Sequence, residues 1–308
     1  MQTQTRAWLV VFALLATCAA VVGGLHYYRT YRRVDAAQLM ANLPAGPYLL
    51  VYIDVSALRQ SGILDVLGGP AAVEDLDYRN FVSNTRFDYR KDLDAVAGAF
   101  QGDEDFYLVR GRFDWKAIRA YATSVGGSCG NALCTVPSSR PERHISFLPL
   151  RADMIALAVS PNPQAAKAAL GLPKRGTGQV APDQPVWVSI PPNVLRNPAS
   201  FPAGTQLFAQ ALENADRVVL SIGPEGGRLV AQLDVDCPSA GEAVRLEAEF
   251  ESATEVIRKL VSEGKQAPDP RNLSAILSAG RFRRERSKVF GKWPIERAFL
   301  EAMAGGAR

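Results

Sequence analysis

Two stretches decide how this chain is read: DAVAGAFQGDEDFYLVRGRFD (residues 94–114) and DRVVLSIGPEGGRLVAQLDVD (residues 216–236). In the first, the apolar runs 96–100 and 106–113 flank the polar residues Gln101-Gly102-Asp103-Glu104-Asp105. Two strand-like runs around a short turn-forming insert form a hairpin signature. Laid over each other without gaps, Asp94, Val96 and Asp114 coincide with Asp216, Val218 and Asp236. Phe100, Leu108 and Phe113 match Ile222, Val230 and Val235 in character, and the turn 101–105 faces 223–227.

A helix pattern follows each hairpin. Asp114 is a helix cap, and Trp115, Ile118, Ala122 and Val125 fall on one helical face before Gly126-Gly127. In the second copy Ser239-Ala240-Gly241-Glu242 fits a capping box. Ala243, Leu246, Phe250, Ala253, Ile257 and Leu260 form the apolar stripe of the helix it opens. Two readings are open. Amphipathic hairpins resemble one another by construction, or the chain repeats an α+β unit. The second predicts two similar lobes of antiparallel sheet covered by helices, at residues 43–172 and 182–308.

The flanking segments fit that scheme. Strands are predicted at 48–55, 132–136, 144–149, 154–159 and 186–190, a helix over 56–67 closed by Gly68-Gly69, and a short helix near 78–84. A helix opens at Pro163 and runs through Leu170. The Gly- and Pro-rich stretch 171–185 reads as an inter-lobe linker. A final unit comprises a helix to Ser278, strands near 281–285 and 287–292, and a helix over 294–303.

The chain has 308 residues, 47% of them hydrophobic and 21% charged, with a net charge of +4. That composition excludes wholesale disorder and gives material for real cores. With only His26 and His144, a histidine-based metal centre is hard to assemble, and no cofactor or metal is expected.

Residues 7–25 (AWLVVFALLATCAAVVGGL) carry no charge. As a helix they would reach about 28 Å, close to the roughly 30 Å bilayer core. Trp8 at one end and Tyr27, Tyr28 and Tyr31 at the other suit the headgroup zone. Residues 1–35 are therefore expected to be a membrane anchor and the start of a stalk, with helix continuing over 26–42. Two alternatives stand beside it: a cleaved signal peptide, and a lipoprotein acylated at Cys18 within Leu15-Ala16-Thr17-Cys18. Arg29, Arg32 and Arg33 outnumber Arg6 plus the amino terminus by about one charge, which favours a cytoplasmic C-terminal side. Large domains translocate with little regard to so small a bias.

The cysteines point the other way. Cys129 and Cys134 bracket Gly-Asn-Ala-Leu, and a reversal at Gly130-Asn131 would bring their sulfurs within bonding reach. A disulfide persists in an oxidising compartment; the alternative is two reduced thiols in a buried strand. Cys237 reads as a small buried hydrophobe. These residues favour an extracytoplasmic location.

Several tempting motifs lack the context that their chemistry needs. Gly126-Gly127-Ser128-Cys129-Gly130 matches G-x-S-x-G, but it follows a helix and enters a strand, the reverse of a nucleophile elbow. A Cys129–His144 dyad would lose its thiolate to a disulfide. Gly176-Thr177-Gly178-Gln179-Val180-Ala181 has prolines where a dinucleotide-binding helix should follow. Asp103-Glu104-Asp105 reads as a solvated tip, with calcium as the functional alternative. The pairs Asp92/Asp94 and Asp234/Asp236 carry only the generic promise of paired carboxylates. The strongest charge feature is basic: Arg281, Arg283, Arg284, Arg286 and Lys288, with Lys292 beyond, against Glu285. It could meet an anionic partner through fork-like guanidinium contacts, or protect an edge strand from aggregation.

Tyr-Arg-Lys-Asp-Leu-Asp (89–94), Leu-Val-Arg-Gly-Arg-Phe-Asp (108–114) and Cys129/Cys134, together with the N-terminal span, resemble uncharacterised single-pass bacterial envelope proteins. The likeness covers most of residues 40–170. It implies an extracytoplasmic soluble part and brings no catalytic residues.

These observations lead to one expectation: an inner (cytoplasmic) membrane, single-pass protein held in the bilayer through residues 7–25, with its C-terminal part extracytoplasmic. It would serve as a binding or scaffold protein without catalytic activity, with an envelope protein as partner and no nucleic acid. The alternatives are an envelope hydrolase with a carboxylate-based site between the lobes, and a lipoprotein-like chaperone or transport accessory.

Overall fold

The computed structural model describes residues 36–67, 76–173, 175, 182–196, 205–226, 228–263, 269 and 271–305. The uncharged segment 7–25, residues 26–35 expected as the start of a stalk, Gly68-Gly69, and residues 174 and 176–181 of the expected linker lie outside them. Among the described residues no helix is long and apolar enough to cross a membrane.

The fold is α+β: one large antiparallel sheet with helices against it. The strands are β1 (Leu49–Asp54), β2 (Leu93–Gln101), β3 (Glu104–Gly111), β4 (Ser128–Gly130), β5 (Leu133–Pro137), β6 (His144–Arg151), β7 (Met154–Ser160), β8 (Val186–Ile190), β9 (Arg217–Glu225), β10 (Arg228–Asp236), β11 (Arg281–Glu285) and β12 (Lys288–Ile295). Their order across the sheet is β11-β12-β10-β9-β8-β1-β2-β3-β7-β6-β5-β4.

Instead of two separate sheets, the two expected lobes share this one. β1 and β8 pair antiparallel at its centre, Val51 opposite Val188 and Tyr52 opposite Trp187. Outward from that seam the halves follow the same plan. One runs β1-β2-β3-β7-β6, the other β8-β9-β10-β12-β11, and the first half alone adds β5 and β4 at its end.

The helices are α1 (Ala36–Ala41), α2 (Val55–Gln60), α3 (Ile63–Leu67), α4 (Leu76–Thr85), α5 (Tyr89–Asp92), α6 (Trp115–Ser124), α7 (Ala165–Gly171), α8 (Pro192–Leu195), α9 (Gln206–Ala211), α10 (Ala240–Glu263), α11 (Leu273–Ser278) and α12 (Arg297–Gly305). The segment expected as one helix over 56–67 is two, α2 and α3. Gly62, in the left-handed region at φ +71, turns the chain between them. α1 does not stand off as a stalk: Leu39 and Met40 are buried.

Directly paired residues project from the same side of a sheet. The row Val109–Val96–Ile53–Val186–Ile222–Ala231–Trp293 therefore marks one face, here the front. α6 covers it in the first half, where Ile118 and Ala122 pack with Cys134, Phe147 and Ile155. α10 covers it in the second, where Leu246, Phe250 and Ile257 meet Val218, Val235, Val289 and Trp293. Both hairpin-following helices start at side-chain caps: Asp114 accepts from the Ala117 amide and Ser239 from the Glu242 amide.

The α10 stripe departs from the expected one at its end. Leu260 is 64% exposed, while Thr254 is buried and Val261 packs on the core. At 100° per residue, Leu260 lies about 80° round the helix from Phe250, whereas Thr254 and Val261 lie within about 40°. Pro294, expected to open the last helix, pairs with Val230 inside β12 instead.

Phe250 is fully buried against Phe208 and Phe282. Phe250→Ala should cost about 3–5 kcal/mol in denaturant unfolding. Leu260→Ala should change stability by no more than about 0.5 kcal/mol.

Candidate functional site

The back face is treated differently in the two halves. Its row runs Leu148–Ala156–Leu108–Ala97–Tyr52–Trp187–Ser221–Gln232–Lys292–Arg281. From Leu148 to Ser221 every residue is buried; Gln232 is half-buried, and Lys292 and Arg281 are exposed. In the first half, the chain at Leu43-Pro44 lies beside Phe106, Leu108 and Ala156, and the Ala166 amide of α7 bonds the buried Ser146 hydroxyl of β6. In the second half, no residue of β10, β11 or β12 that points to this face is buried. The helix that follows β12, in the place α7 has after β7, goes elsewhere: Phe299 of α12 packs on the front-face core.

The open surface is a polar lattice. Lys292 Nζ bonds both Glu225 carboxylate oxygens, at 2.6 and 2.9 Å, and Gln232 donates to the same carboxylate. Asp236 holds Lys288 at 2.6 Å and Arg217 at 2.9 Å. The Arg283 guanidinium lies 4.3 Å from the centre of the Phe290 ring and pairs with Glu285. These charges largely neutralise one another.

The basic run therefore does not form one patch. Strand alternation sends Arg281 and Arg283 to the back face, and Arg284 to the front, where it meets Glu247 of α10 at 3.2 Å. Arg286 sits in the β11–β12 turn at φ +54, and Lys288 opens β12. Arg217 and Phe290, which share the surface with them and with Lys292, were missed in sequence. The alternation Lys288-Phe290-Lys292 was the available signal for Phe290.

β11 ends the sheet. Its two-residue turn is closed by the pair Glu285–Lys288, which exchanges backbone hydrogen bonds, as do Arg283 and Arg281 with their partners. The backbones of Phe282 and Arg284 therefore face outward. At the other end β4 is only three residues long. Its Cys129 is disulfide-bonded to Cys134, directly opposite on β5 with Cα atoms 4.1 Å apart. The reversal falls at Asn131-Ala132, one residue later than expected, both in the left-handed region, as a tight hairpin turn requires.

The remaining sequence candidates scatter. Ser128 is exposed at the start of β4, and His144 opens β6. Gly176 to Ala181 lie outside the described residues. The acidic tip is partly neutralised: Arg143 donates to the Asp105 carboxylate at 2.7 Å and to the Asp103 and Val159 carbonyls. Arg143 was not singled out in sequence. Among the described residues no group of His, Cys, Asp and Glu is placed to hold a metal. An apolar cleft between Leu43, Phe106, Ala156 and Leu170 has about 10 Å³ of free space, too little for a ligand.

Each carboxylate pair serves a hairpin base. Asp92 pairs with Arg112 as Asp236 does with Arg217. Asp94 lies at a bulge between Leu93 and Ala95. Burial raises its carboxyl above the ordinary value, against the opposing pull of Arg59, Arg112 and Arg110. For Asp236, burial acts the same way but is outweighed by the hydrogen bonds from Lys288 and Arg217, so its carboxyl is lowered.

No protein-family model matches the chain, and no curated protein matches it. Among solved structures it is similar to TP0453 in crystal form I, with a TM-score of 0.52 and 11% identity over 87% of this chain and 97% of that one. Crystal forms III and IV of TP0453 give TM-scores of 0.46 and 0.43. At such identity the form I likeness establishes the fold alone: a large antiparallel sheet with helices.

The two carboxylates should respond oppositely to pH. Asp236→Asn should destabilise at neutral pH, and its deficit should shrink as pH falls through the lowered carboxyl of the parent. Asp94→Asn should be neutral or stabilising at neutral pH, because ionising the parent's half-buried Asp94 costs folding energy; that gain should vanish in acid. Urea unfolding from pH 3 to 7 measures both.

Proposed function

We propose that this chain is a membrane-tethered, extracytoplasmic binding or scaffold protein that acts without catalysis. The reading rests on one observation: the back face is closed in the first half and left as a polar, solvent-facing surface over β10, β12 and β11. A sheet face without its covering helices suits contact with another molecule. The Cys129–Cys134 bond supports an oxidising compartment, since cytosolic thiols are kept reduced. The uncharged residues 7–25 would supply the tether through the bilayer.

We also infer that the chain arose by duplication of an α+β unit, with lobes at 43–172 and 182–308. Support comes from the repeated order β1-β2-β3-β7-β6 and β8-β9-β10-β12-β11 and the capped helix after each β-hairpin. The ungapped match of 94–114 to 216–236 slips at the turn. The first hairpin closes at Gln101–Glu104 and the second at Glu225–Arg228, two residues further from its starting aspartate. Beyond the turn the equivalent of the Asp114 cap is Ser239, not Asp236.

Thiol labelling tests the location. In membranes bearing the full chain, an impermeant maleimide applied from the extracytoplasmic side should modify Cys129 only after reduction. Labelling without reductant, or only from the cytoplasmic side, refutes the reading.

A further inference from the structure

We propose that the outer edge of β11 is a strand-acceptor site for an extended acidic segment of a partner protein. The inference deepens the binding role above by naming a place and a partner chemistry.

The first support is internal comparison. β6 occupies in the first half the place that β11 occupies in the second, and its outer edge is taken by β5, from Cys134 opposite Phe147 to Pro137 opposite His144. The fold thus already adds a strand at this position once. Among the described residues β11 has no such neighbour. Its outward backbone groups are those of Phe282 and Arg284, and two such residues give an incoming strand a donor and an acceptor each.

The second support is charge. Arg281 and Arg286 stand exposed at the two ends of this edge, with no ion pair among the described residues. Arg283 lies between them on the back face, stacked on Phe290 and already paired with Glu285. An added strand would bring alternate side chains beside Arg281, where a carboxylate is favoured, and beside Arg283. Its other side chains would lie beside the half-buried Phe282, where β-branched residues fit. A second copy of this chain is the poorer occupant. Antiparallel pairing of β11 with itself about Arg283 would set Arg283 against Arg283 and join two strands that each carry three arginines and one glutamate. Like charges directly opposite are destabilising.

The test uses the full chain in neutral detergent and two fluorescent heptapeptides, Glu alternating with Val and Lys alternating with Val. Anisotropy should show binding of the Glu peptide and none of the Lys peptide. Arg284→Pro removes an amide that faces away from β12. It should weaken Glu-peptide binding at least about tenfold while leaving the melting curve near that of the parent. Arg284→Ala, which also loses the Glu247 contact but keeps the amide, should bind within about threefold of the parent. A Glu peptide N-methylated at its edge-facing amides should not bind, a result that needs no altered protein. The proposal is overturned if neither peptide binds, if both bind equally, if the N-methylated peptide or Arg284→Pro binds as the parent pair does, or if the chain is a dimer joined through β11. Because the assay reads binding by purified chain, its failure leaves the thiol-labelling result standing, and the reverse holds too.

Discussion

The ladder between β1 and β8 is the contact on which the rest depends. Each strand is the first of its half, and each would otherwise end a sheet with bare amides and carbonyls. Paired from Leu50–Ser189 to Ile53–Val186, they satisfy each other. On the back face Tyr52 and Trp187 stack across the seam with ring centres 5.7 Å apart, and both are buried. The halves therefore meet as neighbours in a sheet. Among the described residues the exposed part of the back face lies at the far end, over β10, β12 and β11.

That asymmetry also explains the electrostatics. Where a helix or chain covers the sheet, the covered side chains are mostly Ala, Leu, Met and Phe, and the buried Ser146 hydroxyl is bonded by the α7 backbone. Where none does, the same alternation carries Gln232, Asp234, Asp236, Lys288 and Lys292. Hairpin bases hold arginine–carboxylate pairs in both halves, but neighbouring carboxylates diverge. Asp236 has a lysine and an arginine at bonding distance, whereas Asp94 has its cations farther off and burial dominates.

Much of this was legible in the residues. Alternation located both hairpins, and the caps Asp114 and Ser239 placed the starts of α6 and α10, because these signals act over a few residues. The Cys129–Cys134 bond was readable from its turn-rich spacing. What escaped was non-local. Nothing in Leu49–Asp54 or Val186–Ile190 specifies that they pair with each other. The arginine run looked like one patch because a linear list hides the two-sided alternation that parts Arg284 from Arg283. Leu260 looked buried because the actual stripe passes through Thr254, a polar residue, and on to Val261.

The central seam has a consequence for synthesis. β1 leaves the ribosome long before its partner: roughly 130 residues separate them, on the order of ten seconds of translation. Throughout that interval the N-terminal half can fold only with one naked strand border. A nascent chain in that condition is a target for chaperones and a hazard for its neighbours until Val186–Ile190 emerges to close it.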